Sequence, residues 1–485
     1  MVVVGAGPAG LTAAYALGTR HGIAATVLEA THEVGGLSRT VERDGWRFDV
    51  GGHRFFTKVP EVQALWEEIL PGEDFMLRPR MSRIYYRERF FDYPLRLPNA
   101  LANLGPAEGA RCIASYLRAR LSPPADQSTL EGWIEARFGR RLYRHFFKAY
   151  NEKLWGVPAA ELPADFAAQR IRELSLGRAL ADALRPGRSG SQVTSLVDRF
   201  FYPAYGPGML WERCRRLAES AGCRVVTDAP VRSLRRVRDR VVAVGRALPD
   251  GTMVEHPCDH VITSMPLPSL VAGFTPKAPD GVLASAAALR HRDFLTVALV
   301  VPAAAGFPDN WIYVHAPEVR AGRVQNYGSW SPHLVRDGRT VLGVEYFVQQ
   351  DDDLWRRDDD ALVRLATDEV ARLGLVRPHL VEAGYVVRVE KAYPFYDAGY
   401  REHVGRIAAW LREHAVNVHP VGRNGLHRYN NQDHSMVTAL RAVDNVVRGA
   451  GHDVWAVNLE AEYHEAAAPG TTVVRRPGDA RPSSA

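Results

Sequence analysis

The chain opens MVVVGAGPAGLTAAYALGTRHG, and the three glycines at positions 5, 7 and 10 constrain the fold more than any other feature. They stand between a short valine run and an alanine- and leucine-rich segment, so the pattern requires strand, tight turn and helix in immediate succession. In such a turn Gly5 permits the backbone reversal, Gly7 permits close approach of a pyrophosphate, and Gly10 lets the helix pack on the strand. The amides at the helix start can then receive a phosphate. A bare glycine turn would satisfy the same spacing. The flanks decide between the two, because IAATVLEA at 23–30 reads as a second strand ending in Glu29, 19 residues beyond Gly10, where a carboxylate can hold a ribose diol. The opening is therefore a βαβ unit, and the expected class is α/β with a Rossmann-like dinucleotide-binding domain.

The pattern changes twice along the chain. From about residue 100 apolar positions recur at three- and four-residue intervals, as in TLEGWIEARFGRRLYRHFFKAYNEKLWG, which predicts an all-helical region over 100–195 with Ser128 or Thr129 as a cap. FLTVALVVP, WIYVHA, RVQNYGSW and TVLGVEYFVQ predict strands of an antiparallel substrate domain over 269–414. Residues 1–99, 200–268 and 415–455 are expected to form one discontinuous nucleotide domain, and 466–485 a flexible tail. The 61 Lys and Arg against 55 Asp and Glu favour an anionic small ligand. No basic block suggests nucleic acid, and no run reaches the roughly 18 apolar residues of a membrane span. Cys112, Cys214, Cys223 and Cys258 lack metal or disulfide spacing, and the first strand begins at Val2, so a reducing cytoplasmic setting without a leader is expected. The DDD runs at 351–353 and 358–360 flank a surface helix, and no metal is expected.

EATHEVGGLSRT followed by GWRFDVGGHRFF resembles the FAD group that includes amine oxidases, phytoene desaturases, protoporphyrinogen oxidases and UDP-galactopyranose mutases. The resemblance implies FAD, with Gly5, Gly7, Gly10, Glu29, Gly35, Gly36 and Arg39 around its ADP half and Gly52 and His53 nearer the flavin. The distal GRNGLHRYNNQDHSMVTAL fits the same site through Gly422, Arg423, Asp433, Ser435 and Met436, with a following helix whose amides would face flavin O2. Capping alone would also explain Asp433 or Ser435.

Within that group RIYYRERFFDYPLRLP, KAYNEKLWGVPAAELPADFAAQRI, RFFYPAYGPGMLWERC and GRNGLHRYNNQDHSM are most similar to UDP-galactopyranose mutases. This implies reduced FAD, an NDP-sugar substrate, a possible homodimer, and redox-neutral pyranose–furanose isomerisation. Arg292, Arg170 and Tyr429 would stabilise the leaving diphosphate, and Trp155, Phe56 and Tyr327 would line the substrate side. Each also admits a structural reading: helix packing for Trp155, an ion pair for Arg170, ordinary contacts for Arg292 and Tyr429. In GGHRFFTK the residues Gly52, His53, Phe55 and Thr57 fit the mutase pattern, while Phe56 stands where that pattern has a second histidine. The other enzymatic reading is an FAD oxidoreductase acting on an amine, an unsaturated lipid or a sugar derivative, with Phe55, Phe56, Tyr85, Tyr86, Phe90 and Phe91 as an apolar tunnel. A flavin-bearing protein without catalysis is the third.

Overall fold

The computed structural model describes residues 1–93, 97–164 and 199–458. Its nucleotide layer is a five-stranded parallel sheet in the order Val418–Pro420, Val261–Thr263, Val2–Val4, Thr26–Leu28, Arg224–Val226. Each strand is short and apolar, as a sheet covered on both faces demands. On one face the helices Pro8–Tyr15, Gly208–Ser220 and Gln432–Arg448 share a core with Trp66, Phe75, Trp211 and Met436. On the other lie Leu267, Leu270, Phe274, Ile407 and Trp410. The mixed α/β architecture expected from the glycine turn is the one observed.

The second layer is a seven-stranded sheet in the order Ala383–Pro394, His291–Pro302, Arg339–Val348, Arg323–Asn326, Trp311–Val314, Ser82–Tyr86, Arg89–Asp92. Its long strand HRDFLTVALVVP is buried along almost its whole length because both faces are covered. Phe294, Ala298 and Val300 face a core shared with Trp133, Phe146 and Trp155, while Leu295, Val297, Leu299 and Val301 face Leu362, Ala366 and Val370 of the helix Asp359–Arg372. The alternation of period two thus joins two separate cores through one strand. The helices Pro106–Leu121, Leu130–Phe138 and Ala149–Trp155 cover the first of these faces, and Thr129 caps the second of them by accepting from the Gly132 amide at 3.2 Å.

Two local expectations are revised. The hairpin Ser82–Asp92, read within the nucleotide segment 1–99, pairs through Ser82–Tyr85 with Trp311–Val314 and so extends the seven-stranded sheet. The cause is its apolar face, since Ile84, Tyr86 and Phe91 bury into the core beneath the helical layer. The end of RVQNYGSW is a single helical turn, Tyr327–Trp330, because the Asn326 side chain caps it by accepting from the Gly328 amide at 3.2 Å. Arg170 and the tail 466–485 lie outside the described residues.

Candidate functional site

A cavity of about 430 Å³ opens at the carboxyl ends of the parallel strands, where Val4, Leu28, Ser264 and Gly422 meet. Open α/β sheets bind ligands at this edge. Its floor is made by glycines at which a side chain would crowd a neighbour. Gly5 has φ +93°, and a Cβ there would stand 2.3 Å from Ser264 Oγ; one on Gly10 would fall 1.8 Å from the Gly5 carbonyl oxygen. Gly36 has φ +54°, and its Cβ would sit 3.0 Å from Gly7 Cα, so the first and second glycine motifs lie face to face. Gly422, at φ +76°, brings the distal motif against Ala9, with 3.1 Å from a hypothetical Cβ to the alanine Cβ. Three distant stretches of sequence therefore meet as bare backbone around one space.

Polar groups tie this cradle together. Glu29 accepts from the Ala6 amide at 2.6 Å through one oxygen and from the Thr31 amide and hydroxyl at 3.0 and 2.8 Å through the other. A carboxylate has about four acceptor sites, so one remains for a ribose hydroxyl. Arg39 supports the second turn from behind: it donates to the Gly36 carbonyl at 2.8 Å and pairs with Glu33 at 3.2 Å. Gln432 accepts from Ser38 Oγ at 3.0 Å and donates to the Arg54 carbonyl at 3.0 Å, bridging the glycine motifs to GGHRFFTK. Asn431, not Asp433, caps the helix Gln432–Arg448. Asp433 lies in its first turn, where its carboxylate accepts from the His434 amide at 2.8 Å and burial pushes its pKa up to about 7. Ser435 lines the cavity. Met436 does not: it is fully buried, and its sulfur accepts from Trp66 Nε1 at 3.0 Å.

Beyond His53 the surroundings become cationic and aromatic. His53 Nε2 donates to the Val50 carbonyl at 2.9 Å, and burial, reinforced by the Arg423 guanidinium, pushes its pKa down to about 4, so the ring is neutral near pH 7. Arg423 donates to the carbonyls of Asn430 at 2.8 Å and Ala392 at 3.1 Å while its charge lies 5.2 Å and 5.0 Å from the ring centres of Tyr393 and Tyr429. Those two rings stack at 5.5 Å. Next to Gly52 is Gln325 and next to Gly51 is Glu345, the amide donating to the buried carboxylate at 2.5 Å, and Arg323 pairs with the same Glu345. Glu345 was legible only as a charge inside the apolar run TVLGVEYFV, and its significance was missed.

The residues expected on the substrate side are held largely by the protein itself. Arg292 is buried, and its guanidinium donates to the carbonyls of Leu154 at 3.3 Å and Phe347 at 2.6 Å, so it fastens the helical layer to the sheet. Tyr327 is fully buried with its hydroxyl donating to the Asp49 carbonyl at 2.7 Å. Trp155 is buried against Phe395 and Tyr429, at centroid distances of 6.2 and 6.5 Å. Phe56 is half-buried and outside the cavity lining.

The model of the family described as flavin containing amine oxidoreductase matches residues 8–400. The chain belongs to that family. This family member is similar to coproporphyrinogen III oxidase of Mycobacterium tuberculosis, with 26% identity over 430 residues covering 84% of this chain and 90% of that protein. It is 27% identical over 172 residues to a Klebsiella pneumoniae protein named "Probable UDP-galactopyranose mutase", covering 34% of this chain and 43% of that one. A crystal structure of reduced UDP-galactopyranose mutase superposes with TM-score 0.79 at 20% identity over 95% of this chain and 97% of the other, which establishes the common fold. The family implies FAD, and the side-chain-free cradle, the residual acceptor on Glu29 and the helix start at Gly7–Pro8 fit a dinucleotide. No helix among the described residues is long and apolar enough to cross a membrane.

Proposed function

We propose that this flavoenzyme converts a nucleotide-diphosphate sugar between its pyranose and furanose forms without net redox change. The observation that carries the proposal is the cluster of side chains near His53, where the fixed Arg423 charge faces a Tyr393–Tyr429 stack and Arg323 stands on Glu345. An anionic leaving group needs cations and hydroxyl donors that do not reorganise as charge develops, and an aromatic wall suits a sugar or base face. When bound, reduced FAD would supply the nucleophile for the anomeric carbon. The chain's own residues orient the sugar and hold the departing diphosphate: Arg423 and Arg323 as cations, Tyr429 as hydroxyl donor, and neutral His53 as a fixed neighbour of the reacting region. The diphosphate that leaves is the one that returns, so no oxidant is consumed. Arg292 belongs in this scheme as a positioning residue, because it is buried away from the cavity with its donors on backbone, whereas Arg423, which also holds two carbonyls, lines the cavity.

The experiment incubates FAD-loaded, dithionite-reduced protein with UDP-, TDP- and GDP-hexoses and separates ring isomers. Isomer formation only in the reduced state is expected; absence of turnover across the panel overturns the proposal. A second reading, net oxidation of an anionic substrate such as a porphyrinogen, is favoured by the nearly full-length relatives named for that activity. It requires stoichiometric flavin bleaching by coproporphyrinogen under anaerobic conditions.

A further inference from the structure

The strands His291–Pro302 and Ala383–Pro394 run antiparallel, but their register breaks at one point: Arg292 pairs with Tyr393 and Phe294 with Val389. One residue, Asp293, therefore faces three, Glu390, Lys391 and Ala392. A bulge of this kind redirects a side chain out of its sheet. Here it reaches across to the neighbouring layer, for Glu390 and Lys391 line the cavity of the glycine cradle.

The bulge is held from three sides. The Asp293 carboxylate accepts from the Lys391 amide at 2.6 Å, replacing the lost ladder bond. Asn424 donates to the Lys391 carbonyl at 2.9 Å, and Arg423 to the Ala392 carbonyl at 3.1 Å. Lys391 itself has φ +53°, a conformation that a lysine adopts only against steric resistance. Nothing in the packing asks for lysine there, and glycine would fit without strain. The side chain also gains nothing inside the protein: among the described residues the Lys391 ammonium makes no hydrogen bond or ion pair, although the carboxylates of Asp293 and Glu390 are its neighbours.

Its position relative to the rest of the cradle indicates a use. Asn424, which grips Lys391, follows Gly422 by two residues, and Gly422 abuts Ala9 in the first turn of the helix Pro8–Tyr15. The strained lysine is thus attached to the part of the cavity where bare backbone and a helix start converge. Of the other cations near that space, Arg39 is held by Glu33 and the Gly36 carbonyl and Arg423 gives two donors to carbonyls, while Arg232 lines the same cavity from an exposed position.

We infer that Lys391 is a cofactor-anchoring residue whose ammonium meets the pyrophosphate of the bound dinucleotide. The inference rests on the dinucleotide reading of the cavity, and saturable binding of FAD and ADP to the wild-type chain tests that reading separately.

Lys391→Gly deletes the charge and relieves the positive φ together. The cofactor-free variant is expected to melt at or above the wild-type temperature, while its dissociation constants for FAD and ADP rise about tenfold or more and that for adenosine stays unchanged. Lys391→Arg is expected to keep FAD affinity within about threefold. Lys391→Met keeps the side-chain bulk without charge and separates a backbone effect from an electrostatic one; it is expected to weaken ADP as much as the glycine variant does. Wild-type FAD affinity in the glycine or methionine variant overturns the inference. So does weakened FAD binding with ADP binding intact, since the lysine would then act elsewhere than on the pyrophosphate.

Discussion

Asp433 illustrates how a single buried carboxyl couples this site to pH. Its pKa rises from the ordinary 3.8 to about 7, chiefly through burial. Between those values the unfolded chain has lost the proton while the folded chain keeps it, so the folded state binds more protons and stability falls as pH rises through that window. Asp433→Asn keeps the acceptor for the His434 amide and removes the titration. Relative to wild type, the cofactor-free variant is expected to gain on the order of 2 kcal/mol at pH 8 over its difference at pH 5, read from urea midpoints at the two pH values. Gly36→Ala offers a second residue-scale measurement. At φ +54° with Gly7 Cα 3.0 Å from the new Cβ, it is expected to cost about 1–3 kcal/mol and to weaken FAD binding in titrations of flavin fluorescence. The glycines and Glu29 were legible in the sequence because a turn's geometry is written within a few residues of itself. Arg292, Tyr327 and Met436 were not, since residue type reveals a donor or sulfur but not which distant carbonyl, hydroxyl or indole it meets.

Helices could be read from local periodicity, and Pro106–Leu121, Leu130–Phe138 and Ala149–Trp155 stand within the stretch from residue 100 where helices were expected. What periodicity omits is the partner. The Ser82–Asp92 hairpin's attachment to Trp311–Val314 and the bulge opposite Asp293 are both long-range registers, and no window of sequence contains them. The helical layer depends on a similar long-range joint. Glu108 accepts from Arg141 at 2.6 and 2.9 Å and from Arg111 at 3.3 Å, and shares a hydrogen bond with His145, whose other nitrogen meets the Tyr86 hydroxyl at 3.0 Å. Glu108, Cys112 and His145 are close enough to suggest a metal, but the carboxylate is already met by Arg141, then by His145 and Arg111, which hold its pKa down at about 2. Dialysis against EDTA is therefore expected to leave the melting temperature unchanged. Glu108→Ala, in contrast, is expected to destabilise by about 2–3 kcal/mol and to raise hydrogen exchange in 106–121 and 140–148 before the parallel sheet opens.

At the scale of the whole molecule, the sequence disclosed that the chain's opening and its late return meet around one cavity, the one the family's FAD would fit. It did not disclose the cluster of Arg323, Gln325, Glu345, Tyr393 and Arg423, because those residues converge from three strands and a single helical turn with no common spacing. The parallel sheet itself draws on residues from Val2 to Pro420, and its edge strand Val418–Pro420 directly precedes Gly422. A chain ended at residue 416 is expected to retain no flavin after gel filtration, whereas the full chain retains it.

That arrangement also sets an order of events during synthesis. The first glycine turn leaves the ribosome early, yet the opposite wall, from Gly422 through Gln432, emerges more than 400 residues later. At about 5–20 residues per second the half-built sheet waits tens of seconds with an unfinished edge. The nascent polypeptide must pass that interval before it can capture its dinucleotide, and any factor that shields the open edge of Val261–Thr263 should govern the yield of holoprotein.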